Sequence, residues 1–276
     1  MTVTHADPEI GSTVDAGGVA TNYHDLGVGA PVMFLHGSGP GVSAWANWRG
    51  VLPQLAVDRR VIAPDIVGFG YSRKPDGFSF TQEAWVNHLV SFLDALELER
   101  VSLVGNSFGG ALALWLAVRH PDRIDRLVLM GSAGTQFRIT PGLEAVWGYE
   151  PSVENMAELL KIFAYDHSLL GADLAQLRYQ ASVRPGAHES YSTMFPAPRQ
   201  DAVDALAVPE DALRALPHQT LIVHGREDRV IPLWSSLRLH ELIPRSQLHV
   251  FGQCGHWTQI ERGNEFVDLL PRFLPL

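Results

Sequence analysis

The chain has a single cysteine in 276 residues, Cys254. No intrachain disulfide can form, and nothing requires an oxidising compartment. Basic stretches are also missing. Lys and Arg total 21 against 30 Asp and Glu, a formal net charge of −9. With no run able to neutralise phosphates, nucleic acid and anionic membranes are poor partners. No apolar run reaches the roughly 20 residues that cross a bilayer. The opening MTVTHADPEIGS lacks both the basic and the apolar part of a secretory leader. No His/Cys/Asp/Glu group has metal-ligand spacing, and no repeat or low-complexity tract is present. The glycines after His36 do not make a phosphate loop. Position 42 is Val, so G-x-G-x-x-G is not completed, and no Gly-Lys-Ser/Thr follows. These absences lead us to expect a cytoplasmic protein without metal or cofactor.

What is present points to a well-packed chain. Hydrophobic residues make up 46% and charged residues 18%, enough for one large domain or one domain with an insert. Its organising stretch is Arg100 to His120, RVSLVGNSFGGALALWLAVRH. Val101, Leu103 and Val104 read as a buried strand. The chain turns through Gly105-Asn106-Ser107-Phe108-Gly109 and continues with helical apolar spacing until Pro121. A Ser between two glycines at a strand-to-helix turn is the nucleophile-elbow pattern. The glycines let the backbone fold tightly, and the helix N-terminus aims free N–H groups at whatever the serine attacks.

Around it, short strands alternate with helices. Glu9 to Tyr23 predicts two strands joined at Gly17-Gly18. Pro31–Leu35, Arg60–Pro64 and Arg126–Met130 predict further strands, with helices over Ser43–Leu55 and Thr81–Leu96. Such alternation implies a mostly parallel central sheet with helices on both faces, an α/β fold. The rhythm changes at Gln136. Residues 136–208 read as helices over Val153–Ala164, Ala172–Val183 and near Ser190, and we expect a helical lid there. Alternation returns with strands Thr220–Val223 and Gln247–Phe251 and helices Leu233–Leu242 and Thr258–Phe273. The core is then 1–135 with 209–276.

A serine hydroxyl needs a base within hydrogen-bond reach, and the base needs an orienting acid. In such sheets the active groups sit just past the carboxyl ends of the strands. His256 follows the last strand, whereas His88, His120 and His240 belong to helices. Asp228 follows the strand before, with Glu227 as its rival. The order Ser107, Asp228, His256 is that of elbow folds. An oxyanion hole would use the backbone N–H groups of Phe108, after the nucleophile, and of the loop His36-Gly37-Ser38-Gly39. Cys254 follows no elbow and reads as a small filler.

The elbow, HGSGPG, DIVGFGYS, HGREDRVIPL and GHW resemble the α/β-hydrolase fold. More narrowly, LHGSGPGVSAWANWR, AVWGYEPSVENM, LRYQAS, MFPAPRQ and HVFGQCGHWTQIE resemble the meta-cleavage product hydrolases, which split C–C bonds in bacterial degradation of aromatic rings. The resemblance implies the triad Ser107, Asp228 and His256, with Ser38 and Phe108 N–H groups as the oxyanion hole. It implies that Arg178 binds a substrate carboxylate, although from residues alone a surface helix charge is the plainer reading. It places Asn47, Asn106 and Trp257 at the polar end of the site. Trp147, Val230 and Ile231 would shape the acyl end, with Phe163 and Met194. The implied substrate is a small carboxylate-bearing dienol, and the implied assembly is a homodimer. Serine acylation and a directly activated water are both open routes. An esterase, or a non-catalytic receptor on the same fold, remains the rival reading.

Overall fold

A computed structural model describes residues 7–274. Residues 1–6 and 275–276, including the first half of the stretch read for a leader, lie outside the described residues. Strands β1 (Ser12–Ala16) and β2 (Val19–Leu26) form the expected hairpin, with β2 running three residues further than predicted. β3 (Pro31–Leu35) follows. The helix expected over Ser43–Leu55 is two short ones, α1 (Ala44–Trp48) and α2 (Leu52–Leu55). The Ser43 hydroxyl caps the first by accepting from Ala46 N–H, and Gly50 with Pro53 breaks the run. β4 (Arg60–Pro64), α3 (Gln82–Ala95), β5 (Val101–Asn106), α4 (Phe108–Arg119) and β6 (Ile124–Met130) complete the first half.

Between β6 and the next strand lie only helices, as expected, but more of them. α5 (Pro141–Trp147), α6 (Val153–Phe163), α7 (Leu174–Ser182), α8 (Ala187–Met194), α9 (Gln200–Leu206) and α10 (Glu210–Arg214) succeed one another. Pro141 sits at the start of α5, where a missing N–H costs nothing, and Thr140 caps it. β7 (Gln219–Gly225), α11 (Leu233–Leu242) and β8 (Ser246–Phe251) restore the alternation. The last predicted helix is also split, into α12 (Thr258–Glu261) and α13 (Gly263–Phe273), because Arg262 leaves helical geometry at φ −127°.

The sheet order is β1-β2-β4-β3-β5-β6-β7-β8. The pairings from β4 to β8 are parallel, and the β1–β2 and β2–β4 pairings are antiparallel, so β2 alone runs against the other strands. The fold class predicted from the alternation is therefore the observed one. The two faces bury separate cores, as side chains alternate along each strand. Met33 and Leu35 face one core with α3 and α4, and Val32 and Phe34 face the other with Trp48 and Leu52. α4 is apolar on nearly every side and is buried between the sheet and its neighbours. Strand order reverses between β3 and β5, so their carboxyl ends open a crevice at the switch point. Leu35 pairs with Gly105, Asn106 with Met130, and Met130 with Val223, which brings the loops after these strands to one edge.

Candidate active site

Ser107 stands at the head of α4 with φ 55° and ψ −115°. For a non-glycine residue this is a strained conformation. Surrounding contacts hold it. Its N–H donates to Met130 O at 2.9 Å, and its own carbonyl accepts from Gly110, Ala111 and Ala133. The turn also depends on missing side chains. A Cβ on Gly109 would come within 2.6 Å of both Leu35 O and His36 O. The helix can therefore approach β3 only with glycine there. Ser107 is 5% exposed, and its hydroxyl has no hydrogen-bond partner among the described residues, so it is open to a reactant.

Asp228 and His256 pair with each other, and His256 lines the same cavity as Ser107. His256 Nδ1–H donates to Asp228 Oδ2 at 2.6 Å, and the carboxylate is fully buried. Asp228 Oδ1 accepts from the N–H groups of Val230 (2.7 Å) and Ile231 (3.0 Å). Burial pushes the Asp228 pKa up. The His256 charge and hydrogen bond, His224 and the Val230 N–H outweigh that, and the carboxyl sits below its ordinary value. Glu227, the rival acid, instead pairs with Arg226 and accepts from Cys254 N–H. Gly131, at φ 49°, backs the pair: a Cβ there would lie 3.1 Å from Asp228 Oδ2 and 3.2 Å from His256 Nδ1.

Neither the Ser38 nor the Phe108 N–H has an acceptor among the described residues. The first is held by His36, whose ring sits between Gly37 O (2.7 Å) and the Ile66 N–H (2.9 Å). Burial lowers its pKa to about 4, so the ring is neutral and one nitrogen donates while the other accepts. Trp147 Nε1–H donates to Ser38 Oγ at 2.9 Å, and Tyr191 OH lies 3.0 Å from Ser38 O.

A cavity of about 590 Å³ joins Ser107, His256, Asn106 and Gly37 to Asn47, Arg178 and Trp257. Leu143, Val146, Met156, Leu160, Phe163 and Val230 give it apolar walls. Arg178 is half-buried, and its one hydrogen bond among the described residues is a long 3.4 Å contact to Pro40 O. Burial lowers its pKa, Glu9 opposes this, and Arg49 and Arg184 add to it. A guanidinium nevertheless remains charged at neutral pH. Asn47 Nδ2 is buried without a partner. A half-buried guanidinium with one long hydrogen bond and a buried amide donor without a partner suit an anionic, planar ligand group.

Not every expected residue is there. Trp147 is buried but not in the cavity wall, because it stacks on Phe195 (4.3 Å, 4°) and reaches the site only through Ser38. Ile231 is buried behind the wall, serving Asp228 by its N–H and accepting from His224 by its carbonyl. Met194 packs toward Gly68 and Phe80 instead. Cys254 is buried and its thiol pKa is pushed up to about 12, as befits a filler. Two groups were missed in the sequence. His224 lies 3.6 Å from Asp228 Oδ2, burial lowers its pKa, and Ser236 Oγ meets its Nδ1 at 2.7 Å. Glu261 accepts three backbone N–H groups. Both stood within quoted motifs, but sequence position does not reveal which way a side chain turns. No group of His, Cys, Asp and Glu among the described residues could hold a metal ion, and no helix of the described residues is long and apolar enough to cross a membrane.

Residues 30–263 match the alpha/beta hydrolase fold family. The chain is similar to the 2-hydroxymuconate semialdehyde hydrolase of Pseudomonas sp. (strain CF600), 61% identical over 274 residues, covering 99% of this chain and 97% of that one. It is also similar to a 2-hydroxy-6-oxo-2,4-heptadienoate hydrolase of Pseudomonas putida, 60% identical with 99% of each chain covered. Among solved structures it superposes on a meta-cleavage product hydrolase from Pseudomonas fluorescens IP01, a serine-to-alanine mutant complexed with acetates. The TM-score is 0.96 and the identity 57%, with 97% of this chain and 98% of that one covered.

Proposed function

This chain belongs to the α/β-hydrolase fold family and, within it, to the meta-cleavage product hydrolases, and from that premise we propose that it hydrolyses 2-hydroxymuconate 6-semialdehyde. Water and the dienol give formate and 2-hydroxypenta-2,4-dienoate by cleavage of the C5–C6 bond. The observation that carries this reading is one cavity lined by Ser107 and His256 together with Arg178, a cation with no ion-pair partner within 4 Å among the described residues and only one long hydrogen bond, to Pro40 O. A simple esterase has no need of that cation.

In this reading Arg178 and Asn47 hold the substrate carboxylate. Protonation at C5 converts the dienol to its keto tautomer, which supplies the electron sink for C–C cleavage. His256, oriented by Asp228, takes the Ser107 proton as Ser107 attacks the terminal carbonyl. The Ser38 and Phe108 N–H groups carry the oxyanion. Collapse breaks C5–C6, and water releases the acyl group. We further assign residues 136–208 as a lid over a core of 1–135 and 209–276, and a cytoplasmic homodimer as the working form.

Arg178→Lys tests the anchor. Lysine keeps the charge but loses the planar fork. Binding and ketonisation should weaken by roughly 1–3 kcal/mol, the range for one charge-assisted contact. Unchanged kcat/KM in Arg178→Ala would mean the carboxylate binds elsewhere.

A second reading, the same reaction on a methyl ketone, is favoured by the 60% identity to the heptadienoate hydrolase. Phe163 stacks 6.0 Å from His256, and Val230 adjoins Asp228, so the acyl end is walled by bulky groups. One methylene in such a pocket is worth about 1–3 kcal/mol. Formyl and methyl substrates should be cleaved well and the phenyl ketone poorly. kcat/KM across the hydrogen, methyl, ethyl, isopropyl and phenyl series measures this, and a preference for phenyl would contradict it.

A further inference from the structure

The loop that carries His256 is fastened to the helical segment between β6 and β7 rather than to the sheet alone. His256 N–H donates to Phe163 O at 2.8 Å, and Trp257 N–H reaches the same oxygen at 3.3 Å. The Phe163 ring stacks on Trp257 at 5.0 Å and 7°. Glu261 closes the seam. Its Oε2 accepts from the N–H groups of Tyr165 (2.8 Å) and Asp166 (2.9 Å), and its Oε1 accepts from Gly255 N–H (2.8 Å). One carboxylate thus binds the chain just after α6 and the residue just before His256. The two backbones meet so closely that a Cβ on Gly255 would lie 2.7 Å from Phe163 O and 2.8 Å from Tyr165 N.

We propose that Glu261 is a positioning residue, a clasp that makes residues 163–166 and the His256 loop one unit, so that His256 is aligned only when the lid is seated. The proposal rests on the reading of His256 as the base. Glu261 borders the cavity, but both of its carboxylate oxygens are engaged by backbone N–H groups, so it acts through the His256 loop. Arg178, proposed to hold the carboxylate, lies on α7 and makes no hydrogen bond to this clasp among the described residues, so binding and cleavage should respond differently.

Glu261→Gln places an NH₂ group where one acceptor oxygen stood, setting donor against donor. The expected result is a kcat lower by about tenfold to a hundredfold, the scale for a reacting group displaced by about 1 Å. KM should stay within about threefold. The low-field proton NMR signal of the His256–Asp228 hydrogen bond should shift or vanish in the folded variant, which a generally weakened fold would not produce selectively. Gly255→Ala attacks the seam from the other side and should show the same pattern, and it decides the matter if the glutamine variant does not fold. An unchanged kcat, a kcat loss that only tracks the inactive fraction, or a loss with the proton signal intact would each overturn the clasp. Ser107→Ala run alongside separates the two readings. If that variant still turns over, the assignment of the base and nucleophile fails; if it is dead while Glu261→Gln is fully active, only the clasp fails.

Discussion

Ser107→Ala should bind the dienol and release almost no formate. Loss of a serine nucleophile from a triad costs roughly 10⁴- to 10⁶-fold in kcat. Binding should persist because the groups expected to hold the carboxylate, Arg178 and Asn47, lie elsewhere in the cavity wall. Mixed with substrate in a stopped-flow cell, the variant should show a bound dienolate or its keto tautomer that does not decay on the wild-type timescale. Turnover at the wild-type rate would remove Ser107 from the reaction.

Asp228→Asn should cost about 10⁴-fold in kcat, for a reason visible in the hydrogen bonds. Oδ1 accepts two backbone N–H groups, from Val230 and Ile231. The asparagine oxygen is retained there, which turns its NH₂ toward His256. His256 Nδ1 must then accept, its proton moves to Nε2, and the ring cannot take a proton from Ser107. Steady-state kinetics check the loss, and activity within tenfold of wild type would place the orienting acid elsewhere. The same substitution has a thermodynamic signature. The folded Asp228 pKa lies below its ordinary value, so its stabilisation is present above the unfolded value near ~3.9 and is lost as pH falls through the lower folded one. The Tm difference between wild type and variant should shrink toward zero in strong acid.

The parts legible in the sequence are those where local pattern and packing agree. Pro31–Leu35 and Arg60–Pro64 are short apolar runs between turn residues, and Leu233–Leu242 is a helix of ordinary length; all three have their predicted bounds. The elbow was legible because strained geometry demands specific residues, and Ser107, Asp228 and His256 because strand ends converge on one edge. The breaks at Gly50 and Arg262 were harder, since apolar spacing continues across them. Arg178 was not legible from its own surroundings. Leu174–Ser182 is a polar helix, and only its packing over the crevice turns that arginine inward. Trp147 and Ile231 erred the other way: both are buried beside the site, but proximity along the chain does not say on which side of the wall a side chain lies.

The most direct test is to give the purified wild-type enzyme 2-hydroxymuconate 6-semialdehyde and follow both the dienol absorbance and formate, with a panel of simple esters in parallel. The predicted result is one formate per dienol consumed, at a kcat/KM far above that for any ester. Rapid ester hydrolysis with the dienol left intact would contradict the account, as would loss of the dienol absorbance without formate.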